Sequence, residues 1–288
     1  MNVAVIGSNG QLGTDLCEVF ATRHTVIPLT HADIEITDLD GSRQVLQSLR
    51  PDVVLCTAAA HNVPKCESEP EQAFRINGLG SLHLAKLSAE LGFKLVQYST
   101  DYVFDGSKGK PYVETDAVAP QSVYAITKYA GEQLIRNYCE KFFIVRVSGI
   151  YGKVPCRAKN HTNFVVNMIQ AAATKPEVRV VTDEVLTPTP TYEIARNTLE
   201  LVETEAYDVY HMTCQGEVSW YEFARTIFDA LHLRTPLYQA SVRDFPSVVK
   251  RPFYSVLDNA NLKRLGIDRM PHWKDALLAF LRQHYGAS

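Results

Sequence analysis

The first twenty residues restrict the fold more than any other stretch of the chain. Residues 3–6 form a short apolar run that ends in Gly7-Ser-Asn-Gly-Gln-Leu-Gly13, and a helical pattern follows with Leu12, Leu16 and Phe20 on one face. Glycines at this spacing let the backbone approach a pyrophosphate, and the start of the helix offers free N–H groups and the positive end of its dipole. A plain strand–turn–helix looks similar, but the position at the start of the chain favours a dinucleotide-binding unit.

Strands alternate with helices through residue 150. The predicted strands cover residues 3–6, 25–29, 51–60, 94–100 and 142–147, and the predicted helices between them cover 39–49, 71–91 and 124–136. This order predicts an α/β fold, a Rossmann-like doubly wound parallel sheet, as an NAD(P)-binding domain over residues 1–150. Residues 151–288 break the pattern and predict a smaller C-terminal α+β lobe that binds the substrate. Segments near 185–205 and 250–260 are expected to return to the first domain.

The composition narrows the functional class. A net charge of −3 without a long basic run argues against a nucleic-acid partner, whose footprint is a basic patch. No apolar run is long enough to cross a membrane, and the first residues predict a strand, not a signal peptide. The six cysteines are scattered without metal-site spacing, so we expect free thiols in a reducing compartment, no metal, and a cytoplasmic location.

Tyr124 and Lys128 stand one turn apart on a predicted helix. An ammonium group at that distance favours the phenolate, so it is predicted to lower the pKa of Tyr124 from its ordinary value near ~10. Thr100, at the carboxyl end of the predicted fourth strand, is placed to hold the same substrate oxygen. Helices often carry both residues for packing alone, so the prediction of a proton-transfer site depends on the surrounding motifs.

The end of the second predicted strand bears on the choice of dinucleotide. Units that prefer NAD usually carry an acidic residue here, which holds the adenosine ribose hydroxyls. Thr30 and His31 occupy that place, so no carboxylate is expected to repel a 2′-phosphate and His31 could assist one. The sequence therefore predicts NADPH, or tolerance of both NADPH and NADH, with a lean toward NADP.

Motifs along almost the whole chain resemble the extended short-chain dehydrogenase/reductases, and within them the dTDP-4-dehydrorhamnose reductase family. They are Gly7–Gly13, Arg50-Pro-Asp-Val-Val54, Ala58-Ala-Ala-His61, Ser99-Thr-Asp-Tyr-Val-Phe-Asp-Gly106, Tyr124 with Lys128, Asn163-Phe-Val165, Ser219-Trp-Tyr-Glu-Phe223 and Arg251-Pro252. The resemblance implies hydride transfer from NAD(P)H to the C4 ketone of a dTDP-linked 6-deoxy sugar, dTDP-4-dehydro-L-rhamnose. That reaction belongs to nucleotide-sugar and cell-surface polysaccharide biosynthesis. The implied partner is a nucleotide-sugar substrate, and a homodimer is compatible with it.

The resemblance also implies residue roles. Tyr124 would donate the proton, Lys128 would lower its pKa and hold the nicotinamide ribose, and Thr100 would bind the reacting oxygen. The full set of predicted cofactor-binding residues is Gly7, Asn9, Gly10, Gln11, Leu12, Thr30, His31, Glu35, Ile36, Ala58, Ala59, Ala60, Asn77, Tyr98, Tyr124 and Lys128. The predicted substrate-binding residues are Thr100, Asp101, Tyr102, Gly149, Asn163 and Arg251. The planar guanidinium of Arg251 suits a diphosphate, although a surface salt bridge would use the same residue.

Three departures from the family pattern leave the substrate open. Gly149 stands where the family commonly has a tryptophan that packs on the sugar, Asp183-Glu184 replaces an Asp-Gln pair, and Thr30 replaces an aspartate. An aromatic face selects sugars by shape, so its loss affects the substrate more than the chemistry. The alternatives are a reductase or epimerase of another nucleotide-linked 4-keto sugar, and a non-catalytic dinucleotide-binding subunit resembling the β subunit of methionine adenosyltransferase. The immediate start of the first strand favours the enzyme over that subunit.

Overall fold

The structure is a computed structural model that describes residues 1–156 and 162–287. The elements of the first half are β1 (Asn2–Ile6), α1 (Gln11–Phe20), β2 (Thr25–Leu29), α2 (Leu39–Leu49), β3 (Val53–Cys56), α3 (Val63–Ser68), α4 (Pro70–Phe74), α5 (Gly80–Leu91), β4 (Lys94–Thr100), α6 (Val123–Tyr138) and β5 (Phe142–Val147). Those of the second half are β6 (Ile150–Tyr151), α7 (Phe164–Thr174), β7 (Val178–Val181), β8 (Val185–Leu186), β9 (Thr189–Pro190), α8 (Thr191–Val202), β10 (Asp208–His211), β11 (Val218–Ser219), α9 (Trp220–Ala230), β12 (Leu237–Ala240), α10 (Ala260–Arg264) and α11 (Trp273–Tyr285).

Six parallel strands form the central sheet, in the order β10-β5-β4-β3-β1-β2. The chain runs outward from β1 to β2 and then returns to the other side of β1 as β3, so the strand order reverses between β1 and β3. A crevice outside the carboxyl ends of the strands forms at such a reversal. The predicted Rossmann-like doubly wound fold is confirmed. Strand β10, which lies beyond residue 150, pairs with β5.

Both faces of the sheet are buried, which is why its strands were readable as continuous apolar runs. All four residues of β3 are buried, and successive side chains of β1 point to opposite faces. Val3 and Val5 pack into a core with α1, α8 and α11, whereas Ala4 and Ile6 pack into a second core with α5 and α6. Helices therefore cover the sheet from both sides, and its polar chemistry is confined to the strand ends.

The helix predicted over 71–91 is interrupted by a π-helical turn at Arg75–Leu79, between α4 and α5. The extra residue of this turn carries Asn77 inward beneath α6. α6 and the π-helical turn approach so closely that a Cβ on Gly131 of α6 would lie 2.4 Å from the carbonyl oxygen of Asn77. Local sequence does not encode this approach, so the pattern predicted one uninterrupted helix.

Small paired strands and helices make up much of the second half. The pairs are β6 with β9, β7 with β12 and β8 with β11, and α9 begins with a capping box formed by Ser219 and Glu222. Val178, Val180 and Phe228 form a separate small core here. Among residues 1–156 and 162–287, no helix combines the length and apolarity that crossing a membrane requires.

A buried ion pair joins α6 to the sheet. The guanidinium of Arg146 on β5 donates from Nε to Glu132 Oε1 at 3.0 Å and from Nη2 to Glu132 Oε2 at 2.7 Å, and both residues are almost completely buried. The hydroxyl of Ser99 donates to the same carboxylate. His211 places Nε2 3.4 Å from Arg146 Nη1, and its Nδ1 lies 3.1 Å from the carbonyl oxygens of Tyr112 and Asp258.

Breaking this pair is expected to be costly. Arg146→Met should lower the free energy of unfolding by about 3–5 kcal/mol, because it leaves the Glu132 carboxylate buried without its cation. Urea unfolding measures the loss. The matched control is Arg225→Met, which removes an exposed pair with Asp229 and should cost less than about 1 kcal/mol. Equal losses in the two variants would contradict a structural role for the buried pair.

His211 makes the stability depend on pH. Burial, and next the charge of Arg146, lower the pKa of His211 to about 3, below its ordinary value near ~6.5. The pKa of His211 is lower in the folded than in the unfolded protein, so the neutral imidazole stabilises the fold above pH ~6.5. This stabilisation falls by about 1.4 kcal/mol for each pH unit as the pH drops toward 3. Urea unfolding at pH 7.5 and pH 5 should show a smaller acid loss in His211→Gln than in wild type. The exposed His31→Gln should behave as wild type; an unchanged loss in His211→Gln would contradict the prediction.

Candidate active site

A cavity of about 460 Å³ lies at the carboxyl ends of the central strands and is walled on its other side by the second half of the chain. The predicted site residues that line it are Gly10, Gln11, Leu12, Ala59, Tyr98, Thr100, Asp101, Tyr102, Tyr124, Lys128, Gly149 and Asn163. The predicted residues outside its wall are Gly7, Asn9, Thr30, His31, Glu35, Ile36, Ala58, Ala60, Asn77 and Arg251. The structure thus gathers the predicted catalytic residues and part of the glycine loop around one space.

The glycine loop forms a cradle that side chains would fill. Gly7 has a φ of +82°, and a Cβ there would lie 2.4 Å from Thr57 Oγ1. A Cβ on Gly13 would lie 2.1 Å from the carbonyl oxygen of Gly7. Gly10 stands at the start of α1 and offers no capping side chain, so the first N–H groups of the helix remain available to an anion. These features fit the pyrophosphate of a dinucleotide.

Tyr124, Lys128 and Thr100 meet at one wall of the cavity. Ser122 caps α6 by accepting a hydrogen bond from the backbone N–H of Ala125, and this places Tyr124 in the first turn. Thr100 is the last residue of β4, and its hydroxyl lies near enough to the Tyr124 phenol to lower the pKa of that phenol. The prediction that these three side chains converge is consistent with this geometry.

The direction of the predicted pKa shift of Tyr124 is wrong. Burial in the cavity wall raises the pKa of the phenol well above its ordinary value, and the nearby Thr100 hydroxyl offsets only part of that rise. The ammonium of Lys128 donates to the carbonyl oxygen of Tyr98 at 2.6 Å, and burial lowers its own pKa. Tyr124 therefore holds its proton at neutral pH, which is the state a proton donor needs.

Asp101 ties the end of β4 to two other segments. Its carboxylate accepts hydrogen bonds from the hydroxyls of Thr100 at 3.1 Å, Ser148 at 2.7 Å and Ser255 at 2.6 Å. Burial raises the pKa of the carboxyl group, and these three donors oppose the shift. The predicted sugar contact thus already holds the Thr100 hydroxyl in place.

Hydrogen bonds of Gln11 and Asn163 connect the two walls of the cavity. The amide of Gln11 donates to the carbonyl oxygen of Ile150 at 3.2 Å and accepts from Asn163 Nδ2 at 3.2 Å. Asn163 Nδ2 also lies 3.2 Å from the carbonyl oxygen of Gly152, and its Oδ1 caps α7 by accepting from Val166 N. Both predicted ligand contacts are engaged in aligning the start of α7 with the glycine loop.

Two other predicted cofactor residues are anchored within the protein. Asn77 Oδ1 accepts from the backbone N–H of Ala60, and its Nδ2 donates to the Ala60 carbonyl oxygen and to Thr127 Oγ1, at 2.9–3.0 Å. The hydroxyl of Tyr98 donates to Thr198 on α8 at 3.1 Å. Asn77 fixes the backbone after β3, and Tyr98 presents its carbonyl oxygen to Lys128.

A carboxylate does lie at the end of β2, contrary to the sequence prediction. Asp33 Oδ2 accepts hydrogen bonds from the backbone N–H and the hydroxyl of Thr30, each at 2.7 Å. His31 pairs with Glu35 at 3.2 Å, and Ile36 packs against Gly80. Asp33 was missed because it follows the strand by four residues and is brought back by a turn.

Part of the wall that the second half of the chain contributes is apolar. Gly149 has a φ of +52°, and a Cβ there would lie 2.8 Å from Leu186 Cδ1 and 3.1 Å from Pro188 Cα, so the wall leaves no room for a side chain. Trp220 stacks on Phe164 with ring centroids 4.3 Å apart, and both rings line the cavity. The two aromatic residues stood within recognised motifs, but no role was predicted for either.

Arg251 lies near this side without lining the cavity. Burial raises the pKa of the Glu184 carboxyl group, and the charge of Arg251 opposes that rise. The backbone N–H of Trp220 donates to the carbonyl oxygen of Glu184 at 3.4 Å, so the residue that departs from the family pattern lies beside a ring of the cavity wall.

The chain is similar to known proteins over nearly its whole length. The family model described as the RmlD substrate binding domain matches residues 1–285. The spore coat polysaccharide biosynthesis protein SpsK of Bacillus subtilis is 36% identical over 286 residues, which are 99% of this chain and 98% of that protein. A crystal structure of a Clostridium acetobutylicum dTDP-4-dehydrorhamnose reductase superposes with a TM-score of 0.94 at 36% identity, covering 98% of this chain and 99% of that one. The Bacillus anthracis dTDP-4-dehydrorhamnose reductase in complex with NADP gives 0.93 at 34% identity, with the same coverage.

The cradle can be tested with two alanine substitutions at glycines of positive φ. Gly7→Ala should weaken NADPH binding at least about tenfold, because its Cβ would collide with Thr57 and displace the loop. Gly109→Ala has a φ of +64° but open space around its Cβ, so it controls for backbone strain alone. NADPH fluorescence titration measures both. Binding by Gly7→Ala within twofold of the control would contradict the assignment.

Proposed function

The chain belongs to the RmlD substrate binding domain family of nucleotide-sugar oxidoreductases, and from this premise we propose that it reduces the C4 ketone of dTDP-4-dehydro-L-rhamnose to dTDP-L-rhamnose with NADPH. The observation that carries the proposal is the convergence of Thr100, Tyr124 and Lys128 beside the glycine cradle in one cavity. A proton donor next to a dinucleotide cradle is what reduction of a ketone requires.

Several residues have separate roles in the proposed reduction. When bound, the reduced nicotinamide supplies the hydride that C4 of the sugar accepts. Tyr124 then gives its proton to the oxygen that becomes the new hydroxyl, and its raised pKa keeps that proton available. The buried ammonium of Lys128, one turn away, stabilises the phenolate that Tyr124 leaves behind. Asp101 holds the Thr100 hydroxyl, and Thr100 orients the phenol.

Features on the other side of the cavity suit a nucleotide diphosphate. The N-terminus of α7 opens onto the cavity through Asn163 and Phe164, and a helix N-terminus favours negative charge. The stacked rings of Phe164 and Trp220 offer a flat apolar surface to a base or a sugar. These features support a nucleotide-linked substrate more than a free sugar.

NADPH is the proposed cofactor, and NADH is the alternative to compare with it. The Bacillus anthracis relative was crystallised with NADP. Asp33 at the end of β2 weakens the sequence argument against NADH, so both reduced cofactors belong in the assay. A homodimer and a cytoplasmic location stay predictions.

A second substrate candidate is another dTDP-linked 4-keto sugar. The observation in its favour is Gly149, where the close approach of Leu186 and Pro188 leaves the wall without a side chain. Without an aromatic ring at position 149, this part of the wall selects the sugar less strictly by shape, so a differently substituted sugar ring could fit.

The test is oxidation of NADPH and of NADH, followed by absorbance, with freshly prepared dTDP-4-dehydro-L-rhamnose. Wild type should turn over, and Tyr124→Phe should bind NADPH but lose about 10²–10⁴-fold in kcat, because it lacks the transferable proton. Tyr129→Phe, on the same helix, is the matched control and should keep its rate.

The outcomes separate the alternatives. A near-wild-type rate in Tyr124→Phe would exclude this phenol as the acid. No turnover by a wild-type protein that binds NADPH would reject this sugar, and the same assay would then be run with other dTDP-4-keto sugars.

A further inference from the structure

The proposed reduction leaves one pair of reactive side chains in the cavity wall unused. His61 follows β3, and Cys156 lies in the segment after β6, so the two residues come from opposite walls. The imidazole Nε2 lies 3.0 Å from the sulfur of Cys156, and both residues line the cavity. Cys156 is also anchored by a backbone hydrogen bond from its N–H to the carbonyl oxygen of Thr162 at 3.3 Å.

The orientation of the imidazole makes it a base toward the thiol. His61 Nδ1 lies 3.0 Å from the carbonyl oxygen of Ala59, which can only accept a hydrogen bond, so Nδ1 carries the proton. Nε2 therefore presents its lone pair to the Cys156 sulfur and can take the thiol proton. A thiol, a base and a group that orients the base form the arrangement that activates cysteine nucleophiles.

Cys156 is buried like most of the other cysteines, but within residues 1–156 and 162–287 the other five form no hydrogen bond with an imidazole. Burial raises the thiol pKa of Cys17, Cys56, Cys66, Cys139 and Cys214. Cys56 and Cys66 donate to backbone carbonyl oxygens, and Cys139 donates to the hydroxyl of Ser88. Tyr124 lies close enough to Cys156 to interact with it electrostatically, but it is a neutral phenol. Among the residues that the structure describes, His61 thus places an imidazole against a thiol of the cavity wall.

We infer that Cys156 is a peroxide-reactive thiol, activated by His61, whose oxidation blocks the cavity. His61 Nε2 takes the thiol proton, and the thiolate sulfur attacks one oxygen of a hydroperoxide. The O–O bond breaks, and the departing oxygen leaves as water or an alcohol with the proton from His61. Sulfur loses two electrons and becomes a sulfenic acid, while the peroxide is reduced. The block of turnover rests on the proposed function, whereas the chemical step does not.

The first experiment measures thiol reactivity without enzyme activity. The full chain is alkylated with iodoacetamide across pH 5–9.5, and mass spectrometry gives the rate at each cysteine. Cys156 should react with a midpoint below the ordinary thiol pKa near ~8.5, and His61→Gln should raise that midpoint and slow the reaction at pH 7 about tenfold. Cys17, which is partly exposed, is the internal control and should keep the same profile in both proteins. An unmoved Cys156 midpoint in His61→Gln would overturn the inference.

The second experiment tests oxidation itself. Hydrogen peroxide is added with dimedone, which traps sulfenic acids, and the adduct should appear at Cys156 in wild type and fall about tenfold in His61→Gln. Without dimedone, peroxide should inactivate wild type reversibly, with recovery in dithiothreitol. The fraction of the untreated rate that peroxide removes should be at least about tenfold smaller in Cys156→Ser than in wild type.

The two readouts separate failure of this inference from failure of the proposed function. Absence of the adduct from Cys156 overturns the inference, as does equal inactivation of Cys156→Ser and wild type. If wild type reduces no dTDP-linked sugar, the adduct still decides whether Cys156 reacts with peroxide.

Discussion

The ion pair between Glu132 and Arg146 fixes the helix that carries Tyr124, the proposed proton donor, to the sheet that ends beneath the cavity. Glu132 lies one turn beyond Lys128, and Arg146 lies on β5, next to the strand that delivers Thr100. Ser99 donates to the same carboxylate from β4, directly before Thr100. A charge buried this deeply tolerates little movement, because displacement would leave it without its partner. The positions of Tyr124 and Thr100 relative to each other follow from this constraint.

Many polar side chains around the cavity form hydrogen bonds with the backbone or with one another. Asn77 holds the backbone of Ala60, Gln11 and Asn163 join the glycine loop to α7, and Asp101 holds Thr100. Groups fixed in this way need little reordering when a ligand arrives, so less binding free energy is lost to it. Several residues that the sequence marks as binding residues thus act on the ligand through the backbone or hydroxyl that they position.

The parts of the fold that follow from local patterns could be predicted from the sequence. β2, α2 and β5 have the predicted bounds, because buried parallel strands read as apolar runs and amphipathic helices repeat every 3.6 residues. The π-helical turn at Asn77, the return of Asp33 to Thr30 and the pair of His61 with Cys156 could not, because each depends on segments that only the folded chain brings together. The pKa of Tyr124 was mispredicted for the same reason: spacing reveals a nearby lysine but not the burial that outweighs it.

The raised pKa of Tyr124 also bears on the direction of the chemistry. Reduction of a ketone consumes the proton of the phenol, whereas oxidation of the alcohol needs the phenolate as a base. Burial disfavours the phenolate, and Lys128 directs its ammonium to the Tyr98 carbonyl oxygen in this structure, so the protonated form dominates at neutral pH. The site is therefore prepared for reduction near neutral pH, and the oxidative direction would require a higher pH to populate its base.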